Sequence, residues 1–215
     1  MKKYLKFSKI TFSIALGLVL FTACESDDSE DPNPTPSGQD YIVKSQFETD
    51  AEGWVITGDA QGGYTAASYS PDGGVQDGYI YADDDVAGGV WYFTAPNNYH
   101  GNKNEYYGAT LKFSLFQDSN MSDQFDNADI IFRNGDQQIT YVHDPSNYPS
   151  LEWTDYSIKI SADNGWIKGD FDSGIAATEA DMLAVLANVT EFSIRGEFEV
   201  GSDNGGMDNV KILME

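Results

Sequence analysis

The sequence predicts an all-β fold, a jelly-roll-like β-sandwich with one short helix. From residue 41 onward, short runs rich in aromatic and β-branched residues are separated by turn residues, mostly glycine, asparagine and aspartate. Several runs alternate apolar and polar side chains, which is the period of a half-buried strand. A single segment has clear helical spacing. Many short strands with glycine-rich turns and one helix favour a sandwich over an α/β fold.

The strand assignment depends on this alternation. Residues 109–116 show it best, with every second side chain apolar along one face. In the same way, Tyr92 should face away from Trp91 and Phe93. A glycine in the turn, Gly135, predicts a hairpin between two neighbouring runs. The predicted strands are 42–47, 78–82, 89–94, 109–116, 129–133, 138–142, 153–160, 192–198 and 209–213.

One amphipathic helix is predicted near the C-terminus. Thr178 and Asp181 have the spacing of a capping box, in which two side chains satisfy each other's backbone amides at the start of a helix. Apolar residues then recur at helical spacing, namely Met182, Val185, Leu186 and Val189. We expect this helix to cover one side or one end of the sandwich.

The first 23 residues have the three parts of a secretory signal peptide. Four lysines form a basic region, an apolar stretch over residues 10–20 follows, and small residues precede Cys24. The alternative, a transmembrane helix, needs about 20 apolar residues. The apolar stretch is shorter than that and contains Thr11 and Ser13. We therefore predict that residues 1–23 are removed.

Cys24 is the only cysteine in the chain, so no intramolecular disulfide can form. The segment Phe21-Thr22-Ala23-Cys24 resembles the lipobox of bacterial lipoproteins, in which small residues precede a lipidated cysteine. Phe21 departs from the pattern, because leucine is usual there. The resemblance implies that Cys24 becomes the acylated N-terminus. Two or three acyl chains would anchor the protein stably in a membrane, since each buried methylene contributes about 0.8 kcal/mol.

Residues 24–40 are predicted to be a tether between the lipid and the domain. An acidic run over residues 25–31 precedes a segment in which three prolines alternate with polar residues. Proline at this density favours an extended, semi-rigid spacer. The acidic run resembles the signal that sends lipoproteins of some Gram-negative bacteria to the outer face of the outer membrane. This predicts a lipid-anchored protein of the bacterial cell surface, whereas the plainer interpretation is a solvated tether.

The charge balance is strongly acidic, with 35 Asp and Glu against 12 Lys and Arg and a net charge of −23. All the acids follow Cys24, whereas four lysines precede it, so removal of residues 1–23 leaves 8 basic against 35 acidic residues and a charge of −27. Such a surface repels phosphate backbones, which argues against a nucleic-acid partner. Clustered carboxylates instead favour cations, above all Ca²⁺.

An ordered set of motifs resembles the laminin IV type A (laminin B) domain. The set comprises residues 78–85, 91–96, 107–108 and 111–115, the predicted hairpin, the predicted helix and the closing segment Met207-Asp208-Asn209-Val210. The likeness spans residues 41–215 and depends on the order of the motifs. It implies a β-sandwich without catalytic activity. Laminin copies lie among disulfide-rich modules that this sequence lacks, so the fold carries over better than a matrix role.

The opening and closing segments also resemble carbohydrate-binding β-sandwiches, which implies a sandwich of the galactose-binding or carbohydrate-binding-module type. In those domains an acid near each end often binds one structural Ca²⁺, and here the acids are Glu48 and Asp208. The first and last strands of a sandwich commonly lie side by side. Glu48 and Asp208 could then share a cation that takes about six to eight oxygen ligands. The alternative is two solvated carboxylates in turns.

The search for catalytic motifs finds no HExxH, no Gly-x-Ser-x-Gly and no phosphate-binding loop. His100 and His143 are expected at the surface or in packing. Glycoside hydrolysis needs two nearby carboxylates. The acids of 83–85 and the pair Asp170 and Asp172 are interpreted as solvated turn residues. A glycan hydrolase is therefore the least favoured function.

Trp166 and Asp170 are the predicted ligand-binding residues. They lie in a glycine-containing, loop-like segment, where an exposed indole could stack on a sugar ring and Asp170 could accept its hydroxyl hydrogen bonds. Core burial is the alternative for Trp166. The leading hypothesis is a surface lipoprotein whose domain binds a glycan or a matrix protein without catalysis. The second is a structural or accessory subunit of a cell-envelope complex.

Overall fold

A computed structural model describes residues 40–118 and 122–214. In these residues two antiparallel β-sheets and one α-helix surround a single apolar core. The predicted fold class, a jelly-roll-like β-sandwich with one short helix, is confirmed. The predicted leader 1–23, Cys24 and the tether up to residue 39 lie outside the described residues.

The first sheet contains the first and the last strand of the domain. Its strands are β1 (Tyr41–Ser45), β4 (Ser68–Ser70), β5 (Tyr79–Asp84), β7 (Thr110–Gln117), β10 (Thr154–Lys159) and β13 (Asp203–Leu213). They are ordered β10-β7-β13-β5-β4, and β1 also pairs with β13. The expectation that the terminal strands lie side by side is therefore confirmed.

The second sheet is ordered β11-β9-β8-β12-β6-β2-β3. Its strands are β2 (Val55–Thr57), β3 (Thr65–Ala66), β6 (Tyr92–Thr94), β8 (Ile130–Asn134), β9 (Gln137–Tyr141), β11 (Ile167–Lys168) and β12 (Glu191–Arg195). The predicted hairpin joins β8 to β9, and Gly135 in its turn has a φ of 56°. That conformation is tolerated best by glycine.

Alternation along the second sheet separates a core face from an outer face. Ile56, Phe93, Ile194 and Ile130 are neighbours in register across four strands, and all are fully buried. Tyr92 lies on the opposite face from Phe93, as predicted, and is only partly buried. The outer face therefore presents the alternate residues of β2, β6, β12 and β8.

The helix α1 (Glu179–Leu186) begins as predicted. Thr178 accepts a hydrogen bond from the Asp181 amide, and the Asp181 carboxylate accepts from the Thr178 amide. Helix α1 contacts β8 and β9. The 3-10 helices are Ala60–Gly62, Asn97–Tyr99, Asn104–Tyr106 and Pro145–Asn147. Across residues 40–118 and 122–214, helices are too short or too polar to cross a membrane.

Strand β13 differs most from its prediction, because it begins at Asp203 instead of residue 209. Gly205 and Gly206 suggest a turn in the sequence, but both lie inside the strand. A Cβ on Gly205 would lie 2.8 Å from the Trp91 ring, and one on Gly206 would lie 2.0 Å from the Phe116 ring. The two glycines therefore make room for aromatic side chains over the strand. Strands β2, β3, β4 and β11 were not predicted, since two or three residues are too few to show a period.

Candidate functional site

A groove of about 940 Å³ crosses the outer face of the second sheet. Its floor is formed by outward-facing residues of four adjacent strands, β2, β6, β12 and β8. One wall is the loop that carries Tyr64, and the other is the segment 95–100. The floor residues lining it are Val55, Thr57, Tyr92, Thr94, Ile131, Arg133 and Glu191. We call this depression the sheet groove.

A ladder of hydrogen-bonded side chains runs across the floor of the sheet groove. The Thr57 and Thr94 hydroxyls are 2.8 Å apart, and the Thr94 and Ser193 hydroxyls are 2.9 Å apart. Ser193 in turn donates to Glu191 Oε1 at 3.3 Å. Strand alternation explains this row, since it places every second side chain of the neighbouring strands on the outer face.

The ladder continues beyond Glu191 through an ion pair. Glu191 Oε2 lies 3.3 Å from an Arg133 guanidinium nitrogen, and Arg133 Nε donates to Gln138 Oε1 at 2.7 Å. The side chains of Arg133 and Glu191 are 41% and 33% exposed. Both therefore retain hydrogen-bonding capacity toward the solvent side of the groove.

Aromatic and imidazole side chains border the ladder. Tyr64 is 80% exposed at the rim. Tyr92 is partly buried, donates a hydrogen bond to Asn127 at 3.2 Å, and has its pKa raised by burial. Burial lowers the pKa of His100, against the opposing effect of the nearby Glu191 charge. Its Nε2 is buried without a hydrogen-bond partner among the described residues.

Residues 92–214 match the model of the family described as Laminin B (Domain IV). The match covers more than half of the 215 residues. The chain belongs to the laminin B (domain IV) family. The resemblance seen in the order of the sequence motifs is therefore confirmed.

One curated relative of this laminin B domain is the laminin-like protein lam-2 of Caenorhabditis elegans. The two are 30% identical over 128 residues, which are 56% of this chain and 7% of lam-2. The chain therefore spans less than a tenth of the length of that relative. The alignment relates one domain to a far longer protein.

Solved structures show the same fold at low sequence identity. The L4b domain of human laminin alpha-2 matches with a TM-score of 0.61 and 15% identity, over 80% of this chain and 97% of that domain. The solution structure of CtCBM11 matches with a TM-score of 0.52 and 13% identity, over 85% and 99% of the two chains. The family 11 carbohydrate-binding module of a cellulosomal cellulase of Clostridium thermocellum has a TM-score of 0.49 and 13% identity, over 84% and 97%. The laminin B domain thus shares the β-sandwich fold of the L4b domain and of CtCBM11.

The ligand-binding role predicted for Trp166 is wrong. Trp166 is 1% exposed, packs against Phe132 and Tyr141, and donates its indole hydrogen to the Lys159 carbonyl at 2.9 Å. Its apolar area is more stable in the core than on a loop, and the carbonyl satisfies its single polar atom. Asp170 is exposed and accepts a hydrogen bond from the Phe171 amide. Trp166 therefore offers no stacking surface beside Asp170.

Glu48 and Asp208, the predicted calcium ligands, lie in different environments. Glu48 is exposed, and Asp208 is 2% exposed. The Asp208 carboxylate accepts hydrogen bonds from the amides of Val75 at 2.8 Å and Asn209 at 2.5 Å, which occupy one lone pair of each oxygen. Calcium binding by this pair stays a prediction.

The sequence argument also missed two features of the domain. The first is the sheet groove, because its floor is assembled from strands that are distant in sequence. The only local signal was the alternation that turns Tyr92 outward. The second concerns Asp84, which was interpreted as a solvated turn acid but is 2% exposed at the end of β5. His143 is 6% exposed and packs against Tyr156, Tyr141 and Phe113, as a packing histidine would.

Proposed function

We propose that this laminin B domain is a non-catalytic module that binds a neutral glycan in the sheet groove. The observation that carries the proposal is the hydrogen-bonded ladder from Thr57 to Arg133: Thr57, Thr94, Glu191 and Arg133 line a groove with an exposed tyrosine at its rim, and the buried Ser193 hydroxyl connects Thr94 to Glu191 beneath it. A row of hydroxyl, carboxylate and guanidinium groups is suited to an extended ligand that carries many hydroxyl groups.

The residues of the groove provide both interactions that sugar recognition requires. Glu191 accepts and Arg133 donates hydrogen bonds, and a sugar hydroxyl does both. Tyr64 presents an exposed ring on which the apolar face of a pyranose could stack.

The charge of the chain favours a neutral glycan over a sulfated or uronic one. The net charge is −23. Among the described residues that line the groove, Arg133 is the only permanent cation, and Glu191 neutralises it. An anionic polymer would therefore meet a repulsive surface.

The same lining supports a binding role over hydrolysis. Glycoside hydrolysis uses two carboxyl groups on either side of the scissile bond, about 5 to 9.5 Å apart. Glu191 is the only carboxylate among the described residues that line the groove. The groove therefore has hydrogen-bonding groups for a glycan without the second acid.

A glycan array probed with the full chain, followed by calorimetry with each bound sugar, tests the proposal. We expect neutral oligosaccharides to bind, and Tyr64→Ala to weaken binding about fivefold, since loss of aromatic contact costs about 1 kcal/mol. Glu191→Gln should weaken binding as well, because it removes an acceptor. Tyr41→Ala is the matched control, because Tyr41 is an exposed tyrosine (44%) outside the groove.

Two results would contradict this function. The first is an array on which every neutral glycan fails to bind while an immobilised matrix protein does. The second is glycan binding that persists in Tyr64→Ala and Glu191→Gln and is lost in Tyr41→Ala.

We also propose that the domain is held at the outer membrane of a bacterium, on the cell surface, by lipid on Cys24. The basic and apolar leader and the small residues before the lone cysteine support this. Mass spectrometry of the membrane-extracted chain should find an acylated Cys24 as its first residue. Cys24→Ala should keep residues 1–23. An uncleaved, unacylated wild-type chain would contradict the anchor.

A further inference from the structure

Three acidic side chains outside the lining of the sheet groove converge between the two sheets. Asp59 follows β2, Asp84 ends β5, and Glu197 lies two residues beyond β12. One carboxylate oxygen from each lies within 4.8 Å of the others. We call this cluster the acidic pocket. It joins the two sheets, because β5 belongs to the first and β2 and β12 belong to the second.

The carboxylates of the acidic pocket are buried without hydrogen-bond partners. Glu197 is fully buried, and neither of its oxygens accepts a hydrogen bond. Both oxygens of Asp59 are also buried and unpartnered. Asp84 uses one oxygen to accept from the Val86 amide at 2.8 Å, and its other oxygen has no partner. Five buried carboxylate oxygens without a donor are costly in a folded protein.

Repulsion between the carboxylates adds to the cost of burying them without hydrogen-bond partners. Burial, together with the charges of Asp59, Asp203 and Asp84, raises the pKa of Glu197 to about 8, against a lowering contribution from the nearby Trp91 backbone amide. Asp203 is 7% exposed, and its Oδ1 is another buried oxygen without a partner. Burial and the charge of Asp84 raise the pKa of Asp203 to about 7. The charged groups acting on Glu197 are thus all carboxylates, and a cation would stabilise each of them.

We propose that Asp59, Asp84 and Glu197 bind a Ca²⁺ ion. Calcium takes oxygen ligands at about 2.3 to 2.6 Å, so opposite ligands lie about 5 Å apart, and oxygens within 4.8 Å of one another fit a single ion. Magnesium fits less well, because it keeps several of its waters and the pocket is buried. Zinc prefers nitrogen and sulfur ligands, which the three side chains do not provide.

A bound ion would link the two sheets at a place where the backbone of the loop at Gly89 already lies against the Asp59 carboxylate. A Cβ on Gly89 would lie 1.9 Å from Asp59 Oδ2, so the loop before β6 reaches the carboxylate only because residue 89 is glycine. The chain cannot form an intramolecular disulfide. The ion would therefore supply a cross-link that its covalent structure lacks. This site is distinct from Glu48 and Asp208, and it does not depend on glycan binding.

The test is a CaCl₂ titration of the full chain after chelator treatment, by calorimetry and by thermal melting. We expect one bound ion per chain and a rise in Tm on the order of 5 to 10 °C when calcium is a hundredfold above its Kd. Magnesium at the same concentration should produce a smaller shift. Glu197→Gln should weaken calcium binding at least tenfold, as should Asp84→Asn. Asp83→Asn is the matched control, because Asp83 is the exposed neighbour of Asp84 in the same strand.

The variants also distinguish the acidic pocket from the other candidate calcium site, at Glu48 and Asp208. Asp208→Asn should leave this binding unchanged, whereas loss of binding in Asp208→Asn with retention in Glu197→Gln and Asp84→Asn would overturn the proposal. A wild-type chain whose Tm and heat of titration do not respond to calcium would overturn it too. A crystal structure of the wild type grown in saturating CaCl₂ gives a reading that does not depend on folding of the variants. An ion between Asp59, Asp84 and Glu197 supports the site, and an empty pocket refutes it.

Discussion

Two buried charged regions lie two residues apart in the chain, at Arg195 and at Glu197, and they differ in how the charge is compensated. The Arg195 guanidinium is fully buried, pairs with Asp129 at 3.1 Å and donates to the Phe125 carbonyl at 2.8 Å. It also lies over the rings of Phe125 and Phe198, about 4.5 and 4.4 Å from their centroids. Glu197 is equally buried, yet its carboxylate oxygens have no hydrogen-bond partner.

The difference shows which region the chain stabilises by itself. Around Arg195, the protein provides a counter-ion, carbonyl acceptors and aromatic faces, so a buried charge needs nothing from outside. Around Glu197, the nearest charges are other carboxylates. A cluster of buried carboxylates is stable in a folded protein only if its charge is neutralised, by protonation or by a bound cation. The region around Arg195 is therefore stable without any ligand, whereas the region around Glu197 needs protons or a bound cation.

The largest effect on stability is expected when the region around Arg195 loses its counter-ion and so comes to resemble the region around Glu197. Arg195→Met leaves Asp129 buried without its counter-ion and should lower the free energy of unfolding by about 3 to 5 kcal/mol. Urea unfolding followed by circular dichroism measures this. Arg133→Met is the control, because its pair with Glu191 is partly exposed and should cost less than about 1 kcal/mol. Equal losses in the two variants would contradict the contrast.

A smaller effect is expected from the acidic pocket in chelator. The pKa of Glu197 is about 8 in the folded state against 4.5 as its ordinary value, so the folded state holds the proton more tightly. The free energy of unfolding should therefore fall as pH rises from about 5 to 8, by roughly 3 kcal/mol. Thermal melts across this range should show a shallower fall for Glu197→Gln. The raised pKa of Asp203 leaves a residual slope of the same sign.

Calcium provides the control for that prediction. With saturating calcium the wild type should keep its stability as pH rises, since the ion neutralises the carboxylates. Identical slopes for wild type and Glu197→Gln in chelator would show that Glu197 does not titrate in this range.

The smallest effect concerns His143, which packs beside the paired region. Burial, together with the charge of Arg195, lowers the pKa of His143 to about 4. Its unfolded value is higher, so the unfolded chain binds the proton first and stability is lost as pH falls from about 6.5 toward 4. Between pH 7 and pH 5 the wild type should lose about 1 to 2 kcal/mol more than His143→Phe. A variant as acid-sensitive as the wild type would assign the loss to other groups.

Local sequence patterns predicted much of the fold. The capping box at Thr178, the turn at Gly135 and the outward orientation of Tyr92 are all determined within a few residues, and all three are confirmed. The short strands were missed because two or three residues show no period. The start of β13 was missed because Gly205 and Gly206, which accommodate the rings of Trp91 and Phe116, look like turn residues when the aromatic neighbours are unknown.

Binding and metal sites were much less predictable. The sequence placed a ligand at Trp166, whose segment contains glycines, but a tryptophan with one satisfied polar atom is equally suited to the core. It also treated Asp84 as one of three solvated acids. The alternation of β5 brings Asp84 to the acidic pocket while Asp83 stays exposed, and the loop at Gly89 closes on Asp59, the second member of the pocket.

The sequence by itself determined the family, the sandwich class, the acidic charge and the hairpin and helix signals, because these depend on composition, order and spacings of a few residues. The tertiary structure decided which strands are neighbours, and therefore which side chains meet. Thr57, Thr94 and Ser193 form one ladder, and Asp59, Asp84 and Glu197 form one pocket, although each set spans more than a hundred residues. Contacts of that kind depend on strand order and register, which no local pattern specifies.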